Sequence, residues 1–282
     1  MAFKNSQTIG GAYLSDDLMF INADNSLPKG YDTSTLPSNE NKITASDAAS
    51  MNSFGQSVAV GSGRIVVGSH FGDPFAGMTP PGAAYIFDLD GTQLAKITAS
   101  DAAAWDRFGG SVAVGSGRIV VGANDDDDAG SSSGSAYIFN LAGTQIAKIT
   151  ASDAAAGNQF GRSVAVGSGR IVAGAPFDDS GDQYSAGSAY IFNLAGTQIA
   201  KIQASDAATN DNFGGSVAVG SGRIVVGAAA DNNNRGSAYI FDLNGTQIAK
   251  IVASDAAVSD YFGSSVAVGN GRIVVGAYYK NY

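Results

Sequence analysis

The chain has 282 residues, no cysteine, 38 glycines and a formal net charge of −9 at pH 7. The missing cysteines exclude disulfides and thiolate chemistry, and the negative charge disfavours nucleic-acid binding, which needs a cationic surface. No apolar run reaches the roughly 20 residues of a membrane-spanning helix, and the N-terminus lacks the apolar core of a secretory signal.

Residues 1–29 do not share the pattern of the rest and are predicted to form a separate N-terminal arm. Two short apolar runs, Ile9–Leu14 and Leu18–Ile21, flank a polar turn candidate, so the arm is predicted to be hairpin-like. The alternative is a loosely packed terminal strand or a frayed tail. If the arm anchors the protein, we expect the anchoring side chains to be Tyr13, Leu14, Leu18 and Phe20.

After the arm, one glycine-rich motif recurs five times and sets the architecture. Its copies read F-G-x-S-V-A-V-G-x-G-R-I-V-[VA]-G-[AS] and start at Phe54, Phe108, Phe160, Phe213 and Phe262. Each full unit predicts four short strands, A to D in chain order: S-V-A-V, R-I-V-V-G-A, S-A-Y-I-F and T-Q-I-A-K-I. Glycine in the A–B and C–D links is typical of tight hairpin turns.

The two ends of the repeat region are complementary. Counting back twelve positions from Ile43 leads to Tyr31, so residues 31–43 fit the frame of strands C and D, which the last copy lacks after Ala277. We therefore predict an all-β fold in which residues 30–282 form a five-bladed β-propeller with four antiparallel strands per blade. N-terminal strands would complete the last blade and close the ring. A linear solenoid is the alternative architecture.

The F-G start and the apolar pair before Gly-Ala resemble the FG-GAP repeat, and residues 171–176 (I-V-A-G-A-P) contain its full Gly-Ala-Pro. The resemblance extends from about Gly30 to Ala277. It implies a β-propeller that binds partners through loops on one face, as the heads of integrin α-subunits do. Those heads have seven blades, whereas five F-G motifs occur here. Their D-x-D-x-D-G calcium loop between strands A and B is replaced here by G-S-G or G-N-G, so that calcium site is not transferred.

Only the B–C link varies in length, and variable loops on a constant scaffold are where binding residues concentrate. In propeller geometry the B–C and D–A loops share one face, where aromatic and acidic side chains would suit a glycan. The candidate ligand-binding residues are Trp105, Asp125, Asp126, Asp178, Asp179, Tyr184, Asp231 and Tyr261. The alternative is that these side chains are solvated or pack between neighbouring loops.

We expect no cofactor and no bound metal. Calcium is the cation that the loop carboxylates would suit, although they lack the spacing of an EF-hand, and the candidate ligands are Asp126, Asp128, Asp179 and Asp182. The Asp of A-S-D-A-A recurs at Asp47, Asp101, Asp153, Asp206 and Asp255. Such equivalence indicates a structural role, because acid–base catalysis needs carboxylates in different environments, and the role we expect is capping of the D–A turn through backbone N–H groups. With a single histidine, His70, and no distinct carboxylate pair, the protein is predicted to be a non-enzyme.

These observations favour a structural or adhesive module that meets protein partners in a larger assembly. The resemblance implies an extracellular role, whereas a secretory signal is missing. A virion protein reconciles the two, so we expect a phage capsid decoration, a tail appendage or a surface-attachment protein, anchored by its arm at the virion or an extracellular surface. The alternative function is a lectin propeller that binds cell-surface glycans through its B–C and D–A loops.

Overall fold

The computed structural model describes residues 42–48, 53–70, 81–179 and 181–279. The predicted arm, with Tyr13, Leu14, Leu18 and Phe20, lies outside the described residues. The same holds for residues 31–41, which were assigned to the strands that close the ring. The described strands belong to one compact unit that begins at Ile43.

Five antiparallel sheets follow one another along the described chain, four with four strands and the last with two. The strands of the first two sheets are β1 (Ser57–Gly61), β2 (Arg64–Ser69), β3 (Ala83–Phe87), β4 (Gln93–Ile97), β5 (Ser111–Gly115), β6 (Arg118–Ala123), β7 (Ser135–Phe139) and β8 (Gln145–Ile149). Those of the last three are β9 (Ser163–Gly167), β10 (Arg170–Ala175), β11 (Ser188–Phe192), β12 (Gln198–Ile202), β13 (Ser216–Gly220), β14 (Arg223–Ala228), β15 (Ser237–Phe241), β16 (Gln247–Ile251), β17 (Phe262–Gly269) and β18 (Arg272–Ala277).

Each full sheet is a meander in which every strand pairs with the next one in the chain. The predicted strands A to D are therefore confirmed in the first four units, and strands A and B in the fifth. A single helical turn, α1 (Asp231–Asn234), lies in the B–C loop of the fourth unit, and its left-handed Asn232 and Asn233 prevent it from continuing. Ring closure by residues 31–43 stays a prediction.

The core is divided among the joints between successive sheets. One cluster combines Ile86 of the first sheet with Val112 and Val121 of the second, and the next two joints repeat this arrangement. The phenylalanines of the second, third and fourth F-G pairs, Phe108, Phe160 and Phe213, are fully buried beneath strand C of their own sheets. The ring of Phe160, for example, makes edge contacts with those of Tyr190 at 5.4 Å and Phe192 at 5.9 Å between centroids.

Close backbone approach between sheets explains the invariant Gly and Ser of the motif. A Cβ on Gly174 would lie 2.0 Å from the carbonyl oxygen of Gly214 in the next unit. The Ser163 hydroxyl donates a hydrogen bond to that same oxygen at 2.7 Å, and three other joints have the same bond. A side chain larger than hydrogen at this glycine would force the two sheets apart.

The outer faces of the first and last sheets are uncovered. Val60 is 72% exposed, whereas its repeat-equivalent Val114 is 9% exposed because the preceding sheet covers it. At the other end Val274 is 66% exposed, whereas its equivalent Val120 is fully buried by the following sheet. The two uncovered faces thus correspond to the two sides of every internal joint.

Candidate functional site

The B–C loop of one unit lies against the D–A loop of the next, as the propeller geometry predicted. The backbone N–H of Asn210 donates to the carbonyl oxygen of Tyr184 at 2.8 Å, and that of Tyr261 donates to Asn234 at 2.9 Å. These bonds join loops of different units into one continuous surface. Trp105 and Tyr184 are among its most exposed side chains.

Behind these loops, the recurring Asp of A-S-D-A-A links neighbouring units. In the third unit Asp153 accepts hydrogen bonds from the hydroxyl of Tyr190 at 2.8 Å and the ammonium of Lys201 at 2.7 Å. The equivalent trios are Asp47 with Tyr85 and Lys96, Asp101 with Tyr137 and Lys148, and Asp206 with Tyr239 and Lys250. The sequence predicted that this aspartate caps the D–A turn, and the structure shows that its carboxylate bonds to side chains of strands C and D in the following sheet.

Three of the predicted ligand-binding carboxylates lie in this buried layer. Asp126, Asp178 and Asp231 are almost inaccessible and accept ion pairs from the same lysines, at 2.9 Å from Lys148, 2.6 Å from Lys201 and 2.6 Å from Lys250. Their carboxylates are therefore used inside the scaffold. The surface available to a ligand is formed by the loop side chains above them.

The lysines and aspartates of this layer stabilise one another's charged forms. Burial alone would raise the pKa of Asp153, but hydrogen bonds from Lys201 and Tyr190 outweigh it and hold the pKa below its usual range. Burial acts against the charge of Lys201 as well, and the two carboxylates nevertheless raise its pKa. Desolvation and the nearby carboxylates raise the pKa of the Tyr190 phenol. The trio is therefore a lysine–carboxylate pair with a neutral phenol donor, which suits a structural clamp and not an acid–base catalyst.

The candidate metal ligands divide in the same way. Asp101, Asp126 and Asp128 bring carboxylate oxygens within 4.8 Å of one another, but the Lys148 ammonium bonds to all three and supplies the positive charge that a cation would bring. Asp179 and Asp182 belong to no such group among the described residues. Asp179 instead accepts the backbone N–H of Ser185 at 2.8 Å.

A cleft of about 270 Å³ opens where the third, fourth and fifth units meet. Phe177, Tyr261 and Tyr278 form its aromatic walls, and Arg162 and Asn212 add polar groups. The rings of Tyr261 and Tyr278 are 5.4 Å apart, and Tyr279 packs on Tyr278 at 4.5 Å. Of the predicted ligand-binding residues only Tyr261 lines this cleft.

Several loop residues have left-handed backbone. Tyr261 has a φ of 54° and Trp105 a φ of 76°, although bulky side chains rarely adopt this region. The position of Trp105 is left-handed in other units too, where Gly157, Asn210 and Ser259 occupy it. Asp125, in the following B–C loop, pairs with Arg107 at 2.9 Å, so its carboxylate is already engaged.

The variation between copies could have indicated the cleft. The two positions directly after the Gly-Ala or Gly-Ser of strand B differ between the copies. They hold Pro176-Phe177 in the third unit and Tyr278-Tyr279 in the fifth. The fourth unit has Ala229-Ala230 there, and both alanines line the cleft. Arg162 replaces a glycine or another small or neutral residue of the other copies. These departures were present in the sequence, but only the fold brings them together.

Successive four-stranded meanders, joined face to face with loops packed between units, define a repeat protein built of propeller-type blades. The FG-GAP repeat matches residues 37–87, 92–139, 144–192, 197–241 and 246–282, and the chain belongs to the FG-GAP repeat family. This confirms the resemblance inferred from the F-G motifs. No curated protein matches the chain. Within the described residues, no helix has both the length and the apolar character needed to cross a membrane.

Proposed function

We propose that this FG-GAP protein is a non-enzymatic structural or adhesive module of a larger assembly. The observation that carries the proposal is that the constant and the variable residues have different positions and contacts. The repeated Asp, Tyr and Lys side chains are engaged in clamps within the scaffold, whereas the side chains that differ between units lie in the surface loops. Repetition of the clamps serves rigidity, and variation of the loops serves recognition.

The assembly that we favour is a virion, in which the protein serves as a phage capsid decoration or tail appendage, or a cell surface to which it attaches. Residues 1–29 would anchor it through Tyr13, Leu14, Leu18 and Phe20. The test is sedimentation of particles from the producing culture, with detection of the protein in each fraction. We expect it in the particle fraction, and we expect the double variant Tyr13→Ala with Phe20→Ala to remain at the top of the gradient. Recovery of the unaltered protein only in the free fraction contradicts the proposal.

We also propose that the blades close into a ring. One uncovered face bears Val60 and the other bears Val274. These two faces carry the residues that pack against each other at every internal joint. Contact between the first and last sheets would therefore bury both valines. Residues 31–43 would add strands C and D to the fifth sheet. Such closure gives an assembly module one defined rigid shape in place of an array with two adhesive ends.

Glycan binding is the second candidate function, and a specific observation favours it. Tyr261, Tyr278 and Tyr279 form a cluster of partly exposed rings beside a cleft that contains an arginine and an asparagine. Aromatic walls with a few placed polar groups are typical of small-ligand sites. A glycan array tests this candidate, and failure of every glycan to bind leaves the assembly role as the sole proposal.

A further inference from the structure

We infer that the cleft between the third, fourth and fifth units binds a sugar ring that carries a carboxylate. The inference rests on the glycan-binding alternative above and deepens it, because it names one site and one class of ligand. A lectin propeller with a site on every blade would need the same side chains in every unit. The described units instead differ at the positions that form this cleft.

The cleft exists because the fourth unit has small residues where its neighbours have large ones. Ala229 and Ala230 occupy positions that carry Pro176-Phe177 in the third unit and Tyr278-Tyr279 in the fifth. In the second unit the same positions hold Asn124 and Asp125, and Asp125 pairs with Arg107. Two methyl groups between larger neighbours thus leave a concavity that aromatic rings border on both sides.

The aromatic walls are preorganised for a ring-shaped ligand. Tyr278 is 65% exposed, and its ring contacts those of Tyr261 at 5.4 Å and Tyr279 at 4.5 Å, which also contact each other at 5.6 Å. An apolar C–H face of a pyranose can pack on such a ring, while phenol hydroxyls remain available for its hydroxyl groups. The left-handed backbone of Tyr261 recurs at this position in the other units, for example at Gln159 and Asn212, so the scaffold itself fixes where this ring lies.

Arg162 supplies the selectivity for a negative charge. Its guanidinium stacks on Phe177 at 5.6 Å and donates one hydrogen bond to Gln159 Oε1 at 2.8 Å, so it is held in place. Among the described residues no carboxylate lies within 4.0 Å of Arg162 as an ion pair, and the charge of Arg162 acts only at longer range on Asp125, where it opposes the rise in pKa that burial causes. Its remaining N–H groups can donate two parallel hydrogen bonds to a carboxylate, which is the geometry that a guanidinium fits best.

Asn212 adds a group for sugar hydroxyls. Its side-chain N–H contacts to the carbonyl oxygens of Pro176 and Ser185 are both 3.4 Å long, beyond the usual range of a strong hydrogen bond. A ligand hydroxyl can therefore replace them at low cost. Aromatic stacking, one guanidinium and one amide together match the chemistry of a uronic or sialic acid better than that of a neutral sugar or a multiply charged phosphate.

The test is a titration of the full chain with sugar probes, in which binding is measured by NMR and calorimetry. The probes are the methyl glycosides of glucuronic, galacturonic and N-acetylneuraminic acid, each paired with a neutral methyl hexoside. We expect at least one acidic probe to bind saturably and at least tenfold more tightly than its neutral partner. Arg162→Met should remove that preference. Ala230→Phe, which copies the residue of the third unit, should abolish binding by filling the cleft.

Arg223→Met is the matched control, because Arg223 is an exposed arginine of strand β14 outside the cleft. It should bind like the unaltered protein, and circular dichroism of each variant establishes that it is folded. The inference is overturned if no acidic probe binds, or if Arg162→Met retains the preference for the acid. If binding fails while the protein still sediments with particles, this site assignment falls and the assembly role stands.

Discussion

The carboxylate of Asp178 lies 2.6 Å from the ammonium of Lys201 and is buried, with 4% of the residue exposed. Lys201 also bonds to Asp153, so one lysine neutralises a buried carboxylate and an exposed one. The same arrangement joins Lys250 to Asp231 and Asp206. Because each trio joins the D–A loop to strands C and D of the following sheet, it fixes the base on which the variable loops lie.

Lys201→Met should therefore destabilise the protein strongly. It leaves the Asp178 carboxylate buried without its ion-pair partner, a change that costs about 2–4 kcal/mol once the partial exposure of Lys201 is allowed for. Lys96→Met is the matched control, since its partner Asp47 is half exposed and such pairs contribute about 1 kcal/mol or less. Urea denaturation of both variants measures the difference. Equal losses would mean that Asp178 finds another partner or a water molecule.

Stability should decrease in acid because of the carboxylates in the trios. Hydrogen bonds from Lys96 and Tyr85 lower the pKa of Asp47, and in Asp206 the bonds from Lys250 and Tyr239 outweigh the opposing effect of burial. A carboxyl whose pKa is lower in the folded state contributes stability that is fully present above its unfolded pKa. That contribution is lost as the pH falls through the folded pKa, so the loss should begin below about pH 4.

Asp211 acts in the opposite direction, because burial raises its pKa and folding then favours the protonated form. Its contribution is lost as the pH rises above about 4, so the two effects partly cancel in the whole protein. Comparison of the unaltered chain with the variant Asp206→Asn separates the effect of the trio carboxylate from that of Asp211. The free energy of unfolding of this variant should depend less steeply on pH below about 4 than that of the unaltered chain, and identical slopes would contradict the assignment.

The repeat predicted the strands well, because each strand is bounded by glycine or polar residues at fixed spacing. The contacts between units were harder to predict. Asp153 and Lys201 are 48 positions apart, and nothing in either segment shows that a D–A loop will meet the strand D that follows it. Knowing only that the aspartates are equivalent, one can infer a structural role but not a partner.

The candidate site was likewise only partly predictable from the sequence. Tyr261 was identified from its exposed loop position, and it does line the cleft. Asp126 and Asp231 were chosen because they lie in the variable B–C loops, but these loops fold back so that both carboxylates meet a lysine of strand D. Arg162 was missed because it occupies a variable position inside the otherwise constant F-G motif. The sequence does not show which loop that position faces.

Trp105 offers a test of whether the loops carry strain for function. Its left-handed backbone disfavours a bulky side chain, and 60% of the residue is exposed, so little packing offsets that cost. Trp105→Asn, which copies Asn210, should raise the free energy of unfolding by about 0.5–1 kcal/mol. Ser259→Asn is the control and should change stability little. A stabilised variant that no longer associates with its partner would mark Trp105 as a binding residue, whereas a destabilised one would show that the indole packs in the fold.

The proposed ring closure can be tested with two glycines at the same position of the repeat. A Cβ on Gly167 would lie 2.5 Å from the carbonyl oxygen of Val219, whereas around Gly269 there is nothing within 4 Å. Gly167→Ala should therefore destabilise the protein by about 1–3 kcal/mol through overpacking. If β17 packs against β1 in the closed ring, Gly269→Ala should cause a comparable loss, because its methyl group would meet the backbone beside Val60. Light scattering at the same protein concentrations establishes that the chain is monomeric, so that contact with a second copy is distinguished from closure. A monomer in which only Gly167→Ala is destabilising would show that the first and last sheets remain apart.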